Sequence, residues 1–263
     1  RLMGPYGDLV PGSFLGKAMM PLSMVLAAIG MVARPKKAVL AILGASLIVV
    51  FTLFTGERVN TGLACSAVFL AVVAHKINPK RICLSGSFAI IGLVGLSNLF
   101  YGVRDKIMLW TRPEVTHYFE SDYWFSLRPG IVGFLENPLS GIGVGMHRLF
   151  CSEIGRGPAW LPGQNSCHTH PHQFYVQLAE ETGIFGLIFG VIMIATIILS
   201  CWRSRKPGNI YANLAWIVPV LMFFPQPSAD FFGQWNNLFL WFAVGLAMAM
   251  AQTSKVTEAA KTP

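Results

Sequence analysis

The chain has 263 residues, of which 54% are hydrophobic and only 12% are charged. Soluble domains carry about twice this fraction of charged residues, so the composition excludes an ordinary soluble protein and predicts an integral membrane protein. The net charge of +8 comes from basic residues between apolar stretches, a pattern that indicates membrane topology and not nucleic-acid binding. Because the sequence starts at Arg1 without an initiator Met or a signal peptide, we expect it to be the C-terminal part of a longer polytopic protein.

Seven apolar stretches are long enough, or nearly so, to cross the hydrocarbon of a bilayer as helices. In chain order they cover about residues 14–33, 38–55, 59–74, 83–101, 183–202, 210–224 and 235–251. We therefore predict an all-α polytopic fold with about seven transmembrane helices in a membrane domain of residues 1–252. Residues 253–263 are predicted to form a disordered cytoplasmic tail.

The basic residues predict the orientation of these spans. If the spans alternate, four basic segments lie on one side of the membrane: 34–37, 76–81, 203–206 and the tail. The positive-inside rule places that side in the cytoplasm. A long loop of about residues 102–171 then faces the periplasm, and loops of this length tend to be functional.

That loop contains Cys151 and Cys167, which would both face an oxidising compartment. A disulfide between them would close a loop of about 15 residues and stabilise the fold by about 3 kcal/mol. The alternative is two unpaired thiols.

Histidines cluster at the end of the loop, in the segment His168-Thr169-His170-Pro171-His172-Gln173. Pro171 suits a first helical turn, and a helix from there to Trp202 would be about 46 Å long, against about 30 Å of hydrocarbon. His172 is therefore expected on a projecting helix end, where the dipole favours anions and an ionisable group is a candidate functional residue. The alternatives are an interfacial imidazole bound to a backbone carbonyl, or a metal site. Pro171 disrupts a regular ligand face, so no metal site is predicted.

The same helix carries a stripe of small residues, which is typical of close packing with a neighbouring helix. The alternative is a groove for a lipid tail whose polar head lies at His172. Glu180 and Glu181 are expected to hydrogen-bond near the mouth of the helix. At 100° per residue, an unbroken helix would align His172, Val176, Ala179, Gly183, Gly186 and Gly190.

Two arginines are candidates for binding phosphate: Arg58, at the periplasmic start of the third span, and Arg128, in the long loop. A guanidinium group binds phosphate oxygens bidentately and keeps its charge, so the two could hold a diphosphate. The alternative is that both face lipid headgroups. A nucleotide-binding role for the glycine-rich run 141–145 is rejected, because no βαβ pattern surrounds it. The acidic pair Glu120 and Asp122 is an alternative site for Mg²⁺ or Mn²⁺.

Several of these segments resemble the bacterial O-antigen ligase and polymerase family, a group of polytopic inner-membrane glycosyltransferases. His172-Gln173, followed by Gly183 and Gly186, matches the family's spacing of His, then Asn, Ser or Gln, then two glycines. The resemblance covers nearly all of the chain. Four further segments resemble motifs of the family: residues 1–7, which begin at Arg1, residues 55–58, which end at Arg58, residues 137–145, which Arg128 precedes, and residues 231–236.

The resemblance implies a metal-independent and cofactor-free transfer of an undecaprenyl-diphosphate-linked glycan to an acceptor hydroxyl, with inversion, at the periplasmic face of the inner membrane. His172 would be the general base, and Arg58 and Arg128 would bind the diphosphate. His170, Gln173 and Arg1 would support them. The acceptor expected for an O-antigen ligase of lipopolysaccharide synthesis is the lipid A core.

Other functions within the same family are an O-antigen repeat-unit polymerase, with a glycan acceptor, and a protein O-oligosaccharyltransferase. A different class of function is a non-catalytic lipid or polysaccharide transporter, for which charged residues should line the span centres. Apart from Lys17, the predicted spans have almost none. The expected partners are the lipid-linked donor, a glycolipid or glycan acceptor and membrane lipids, with no nucleic acid.

Overall fold

The structure is a computed structural model that describes residues 12–55, 58–74, 122–154, 170–206, 208–225 and 230–259. Within these ranges the chain is helical without strands, which confirms the all-α class. The fourth predicted span, 83–101, lies outside the described residues. The helices are α1 (Gly12–Val32), α2 (Pro35–Thr55), α3 (Arg58–Ala74), α4 (Asp122–Glu136), α5 (His147–Ile154), α6 (Phe174–Arg203), α7 (Ile210–Leu214), α8 (Ile217–Met222) and α9 (Gln234–Ala259).

The chain divides into two compact units. The first contains α1, α2, α3, α7 and α8, together with α6 from Ala195 onward and α9 from Leu238 onward. The second contains α4, α5, the part of α6 up to Ile194, and the segment before Leu238.

Small residues form the helix interfaces of the first unit. Helix α1 contacts both α2 and α3. A Cβ atom added to Gly16 would lie 2.5 Å from the Cβ of Asn60, and one added to Gly30 would lie 2.6 Å from Cγ1 of Ile42. The helix backbones therefore approach each other more closely than larger side chains permit, as in membrane helix pairs. The same interfaces bury Ala27, Ala28, Ala38, Ala41, Ala45, Ala64, Ala67 and Ala71.

Large apolar side chains lie on the outside of these helices. Leu40 is 70% exposed, Leu47 67% and Phe69 62%. Small residues inside and large apolar residues outside are the arrangement expected of helices that face lipid, where apolar surface carries no penalty.

One helix of the described part, α6, is both long and apolar enough to cross a membrane. Shorter apolar helical stretches lie at Gly16–Gly30, Val59–Ala71, Ile210–Met222 and Asn237–Gln252. The observed bounds of α1, α2 and α3 agree with the first three predicted spans within three residues at each end.

Two predicted segments differ from the structure. The predicted span 210–224 contains two short helices, α7 and α8, of five and six residues, joined by a turn at Ala215 and Trp216 whose backbone stays in the right-handed helical region. Helix α9 continues to Ala259, into the tail that was predicted to be disordered. Lys, Glu and Ala in this tail are good helix formers, which allows the helix to continue.

Helices α4 and α5 pack against each other in the second unit, so the described part of the long predicted loop contains two helices. Helix α6 begins at Phe174 and not at Pro171, and it is broken at Gly183, whose φ and ψ are 68° and −170°. The prediction of one continuous 46 Å helix is therefore wrong. Residues 184–203 after the break are about 30 Å long, which matches the hydrocarbon thickness.

The break also overturns the predicted stripe. His172 lies outside α6, and Gly186 and Gly190 lie beyond the break, so the stripe residues do not share one helical line. Val176 and Ala179 remain on the short first segment of the helix.

Candidate functional site

The backbone of His172 is held in an uncommon conformation. Its φ is 53°, and it is the one non-glycine residue with a positive φ in the described part of the chain. Histidine enters this left-handed region more often than most residues, but the conformation still costs about 1–3 kcal/mol. Such strain is concentrated at functional sites, because the surrounding structure must hold it in place.

Two neighbouring residues define the turn that contains His172. The ring centroids of His170 and His172 lie 4.3 Å apart, with an interplanar angle of 66°. The side-chain oxygen Oε1 of Gln173 accepts a hydrogen bond from the Val176 N–H at 2.8 Å, so Gln173 caps the first turn of α6. Both predicted supporting residues of this turn thus have a structural role beside His172.

The break in α6 is bridged by the loop between α4 and α5. In an unbroken helix the Ile184 N–H would donate to the Glu180 carbonyl. Here the Ile184 N–H donates to the Pro138 carbonyl at 2.9 Å, and the Glu180 carbonyl accepts from the Ile142 N–H at 2.8 Å. The loop thus replaces a hydrogen bond that the helix loses at Gly183.

Glycines allow this loop to lie directly on α6. Gly141, Gly143 and Gly145 all have positive φ, and a Cβ at Gly141 would lie 2.5 Å from the Glu181 carbonyl carbon and the Thr182 nitrogen. Gly143 N–H donates to the Glu181 carbonyl at 3.1 Å. Gly145 N–H donates to Oε2 of Glu181 at 2.6 Å. These amide groups bind helix α6, which gives the glycine-rich run a structural explanation.

The carboxylate of Glu180 is paired with His147. Both oxygens of Glu180 lie 2.8 Å from Nδ1 of His147, and the two residues are 0% and 1% exposed. A carboxylate can only accept, so Nδ1 carries the proton and donates it. Nε2 of His147 is buried and has no hydrogen-bond partner among the described residues. The pair joins the start of α5 to α6.

Gln177 connects α6 to the segment before α9. Its Nε2 donates to Oδ1 of Asp230 at 2.6 Å and to Oε1 of Glu181 at 3.3 Å. Its Oε1 accepts from the Phe231 N–H at 2.8 Å. Both N–H groups and the carbonyl oxygen of this buried amide are therefore used. Phe174 stacks on Phe231 with centroids 5.7 Å apart, which adds an apolar contact between the same segments.

Helix α4 approaches α6 through two glycines. A Cβ at Gly130 would lie 3.0 Å from Cβ of Pro171, and one at Gly133 would lie 2.9 Å from Cγ of Glu180. Arg128 is two residues before Gly130, so it lies near the level of the His172 turn. On an ideal helix, however, Arg128 lies about 170° around α4 from the mean direction of these glycines. A contact between Arg128 and His172 therefore stays a prediction.

The structure describes only some of the other predicted site residues. Arg58 is the first residue of α3, in the first unit, and its side chain is outside the described residues. Arg1 is also outside them. Cys151 is in a disulfide, whereas Cys65 and Cys201 are free. The predicted partner of Cys151, Cys167, lies outside the described residues, so that pairing stays a prediction.

No protein-family model matches the chain, and no curated protein matches it. Where the structure describes the chain, no group of three or more His, Cys, Asp or Glu residues could hold a metal ion. Any functional assignment therefore depends on the residues of this chain and on their geometry.

The sequence pattern did not indicate His147, Gln177 or Asp230 as members of the site. It did predict hydrogen bonds for Glu180 and Glu181, which the structure confirms. The signal in the sequence was a group of polar residues, at 177 and 180–182, in the first turns of a mostly apolar helix. Buried polar groups need partners, so such a run predicts polar residues elsewhere in the chain without saying which ones.

The His147–Glu180 pair gives a prediction about stability. Replacing either residue alone by Leu leaves the other buried without its partner, and we expect each change to destabilise the protein by about 3–5 kcal/mol. Replacing both residues by Leu should lower the free energy of unfolding by clearly less than the sum of the two single losses. Thermal unfolding of the two single variants and the double variant in detergent measures this as a double-mutant cycle. Additive losses would show that the two side chains are not coupled.

Proposed function

We propose that the protein is a glycosyltransferase that moves a glycan from an undecaprenyl-diphosphate carrier to an acceptor hydroxyl, with His172 as the general base. The most specific form of the proposal is an O-antigen ligase that acts on the lipid A core. The proposed location is the inner membrane, with about seven spans and the His172 turn facing the periplasm.

One observation carries this proposal. Three segments far apart in sequence, 137–145, 171–183 and 230–233, join in one hydrogen-bonded arrangement. These segments include three of those that resemble the ligase and polymerase family. A resemblance by chance gives no reason for them to meet, whereas a shared active-site scaffold requires it.

The second support is the position of His172 itself. The hydrogen-bonded arrangement adjoins the strained turn, because Pro171 contacts the glycine face of α4 and Gln173 caps α6. Rigid helices and buried hydrogen bonds behind a strained residue are the arrangement that pre-organises a catalytic group. The turn also precedes about 30 Å of apolar helix, which fits an interfacial site.

The chemistry suits these residue types. A lipid diphosphate is a good leaving group once its charge is neutralised, and Arg58 and Arg128 are the proposed cations. The acceptor hydroxyl gives its proton to His172, because histidine is the side chain that most often serves as a general base. The acceptor oxygen forms a bond to the anomeric carbon from the face opposite the diphosphate, and the carbon–oxygen bond to the diphosphate breaks. The product has inverted configuration.

Deletion of the gene in its own organism, followed by gel analysis of lipopolysaccharide, tests the function. We expect loss of all long-chain bands and accumulation of a free lipid-linked polymer, which is the result for a ligase. A core that carries a single repeat indicates a polymerase, and normal lipopolysaccharide with loss of glycosylated proteins indicates a protein glycosyltransferase. Unchanged glycans of every kind would contradict the proposal. Complementation with the intact gene is the control.

A further inference from the structure

The first unit contains a cavity that the proposed reaction does not use. Its volume is about 500 Å³, which lies in the range of about 300–1,000 Å³ that is typical of ligand pockets. It is formed where the ends of α3 and α6 meet the end of α7 and the turn that follows it. The lining residues are Ala74, Trp202, Arg203, Arg205, Lys206, Asn213 and Trp216.

The lining has the chemistry of an anion site. Among the described residues, the lining contributes three cationic side chains, Arg203, Arg205 and Lys206, and no carboxylate. The amide of Asn213 and the indole N–H of Trp216 are further donors. A phosphate group is the common biological anion that matches guanidinium and ammonium donors at one place.

Aromatic contacts hold part of this lining in place. The Arg205 guanidinium carbon lies 3.0 Å from the ring centroid of Trp202, and Nε of Arg205 donates to the Trp202 carbonyl at 3.0 Å. The Trp202 and Trp216 rings meet edge to face with centroids 5.0 Å apart. Because Arg205 is fixed in this way, ligand binding requires less ordering of this long side chain.

The position of the cavity identifies the source of the phosphate. It lies at the end of the apolar helix α6, and Leu199, 48% exposed, and Trp202, 40% exposed, lie on the adjoining helix surface. A lipid can place its headgroup among the cations and its acyl chains along this apolar surface. Tryptophans and basic residues at a helix end are typical of a membrane interface.

We propose that this cavity binds the phosphate headgroup of an anionic membrane lipid. Basic pockets between helices on the cytoplasmic side of membrane proteins bind such headgroups. The proposal rests on the membrane-crossing role of α6, but not on the glycosyltransferase reaction. A loss of glycan transfer and a loss of lipid binding are therefore separable results.

The test is a thermal-shift titration of the full chain in detergent with phosphatidylglycerol, phosphatidylcholine or inorganic phosphate. We expect phosphatidylglycerol to raise the Tm, whereas the other two have little effect. The triple variant R203Q/R205Q/K206Q should bind phosphatidylglycerol at least tenfold more weakly, because it removes the charge-assisted hydrogen bonds that the lining cations can make to a phosphate held in the cavity.

The matched control is R34Q/K36Q/K37Q, which removes the same number of positive charges from exposed positions on the same predicted side of the membrane. It should keep the response within about threefold. An equal loss in the control would overturn the proposal in favour of general surface charge. An equal Tm shift with inorganic phosphate would overturn the lipid as the source, and an equal shift with phosphatidylcholine would overturn the headgroup.

A second variant covers the case in which the triple variant fails to fold. Trp216→Leu removes one wall of the cavity and one donor but keeps all three cations. We expect it to weaken the response to phosphatidylglycerol at least threefold. An unchanged response in Trp216→Leu overturns the cavity as the binding place.

Discussion

Replacement of His172 by Asn is expected to slow glycan transfer by about 10²–10⁴-fold, the usual contribution of a general base. Asparagine tolerates the left-handed backbone conformation that His172 adopts, so the turn before α6 should persist. It cannot take a proton near neutral pH, so only the catalytic step should be lost. The measurement is transfer by proteoliposomes that contain a lipid-linked glycan and an acceptor.

His172→Ala is the companion variant, because it removes the imidazole and also disfavours the positive φ. We expect it to be as inactive as His172→Asn but to have a lower Tm. Membrane insertion and expression should match the unchanged protein in both variants. Near-normal transfer by His172→Asn would rule out a general-base role and would leave His172 as a turn residue only.

Gly183→Ala is expected to disrupt both the fold and the reaction. The φ and ψ of Gly183 lie in a region that is essentially restricted to glycine, and an added Cβ would collide with the carbonyl group of Leu139. The helix must then straighten or the loop between α4 and α5 must move. We expect the free energy of unfolding to fall by about 2–4 kcal/mol, measured as a Tm lower by roughly 5–15 °C. Glycan transfer should also be lost.

Gly245→Ala is the matched control for this prediction. Gly245 is also a glycine inside a helix, but no atom of the described residues outside its own helix backbone lies within 4 Å of an added Cβ. We expect its Tm to be unchanged or slightly higher, because Ala favours helix over Gly by about 1 kcal/mol. Equal losses in both variants would contradict the special role of the break at Gly183.

The two predictions address different properties of one site. His172 is proposed to react, while Gly183 lets the loop between α4 and α5 bond to α6. Loss of activity without a change in stability is therefore expected for His172→Asn. Loss of both is the mark of Gly183→Ala.

The sequence by itself determined the all-helical class, the bounds of the first three helices and the histidine turn as a candidate site. These follow from composition, from runs of apolar residues and from local helix signals, all of which depend on neighbours in the chain. It also predicted that Glu180 and Glu181 would hydrogen-bond, since buried carboxylates need partners.

The tertiary structure alone decided the start of α6 at Phe174, the break at Gly183 and the partners of its polar residues. The break persists because the Ile184 and Glu180 backbone groups bond to Pro138 and Ile142, about 40 positions earlier. His147 and Asp230 are likewise distant in sequence from the side chains they bind. A local pattern reports the preference of one segment, and here hydrogen bonds between segments outweigh the preference for an unbroken helix.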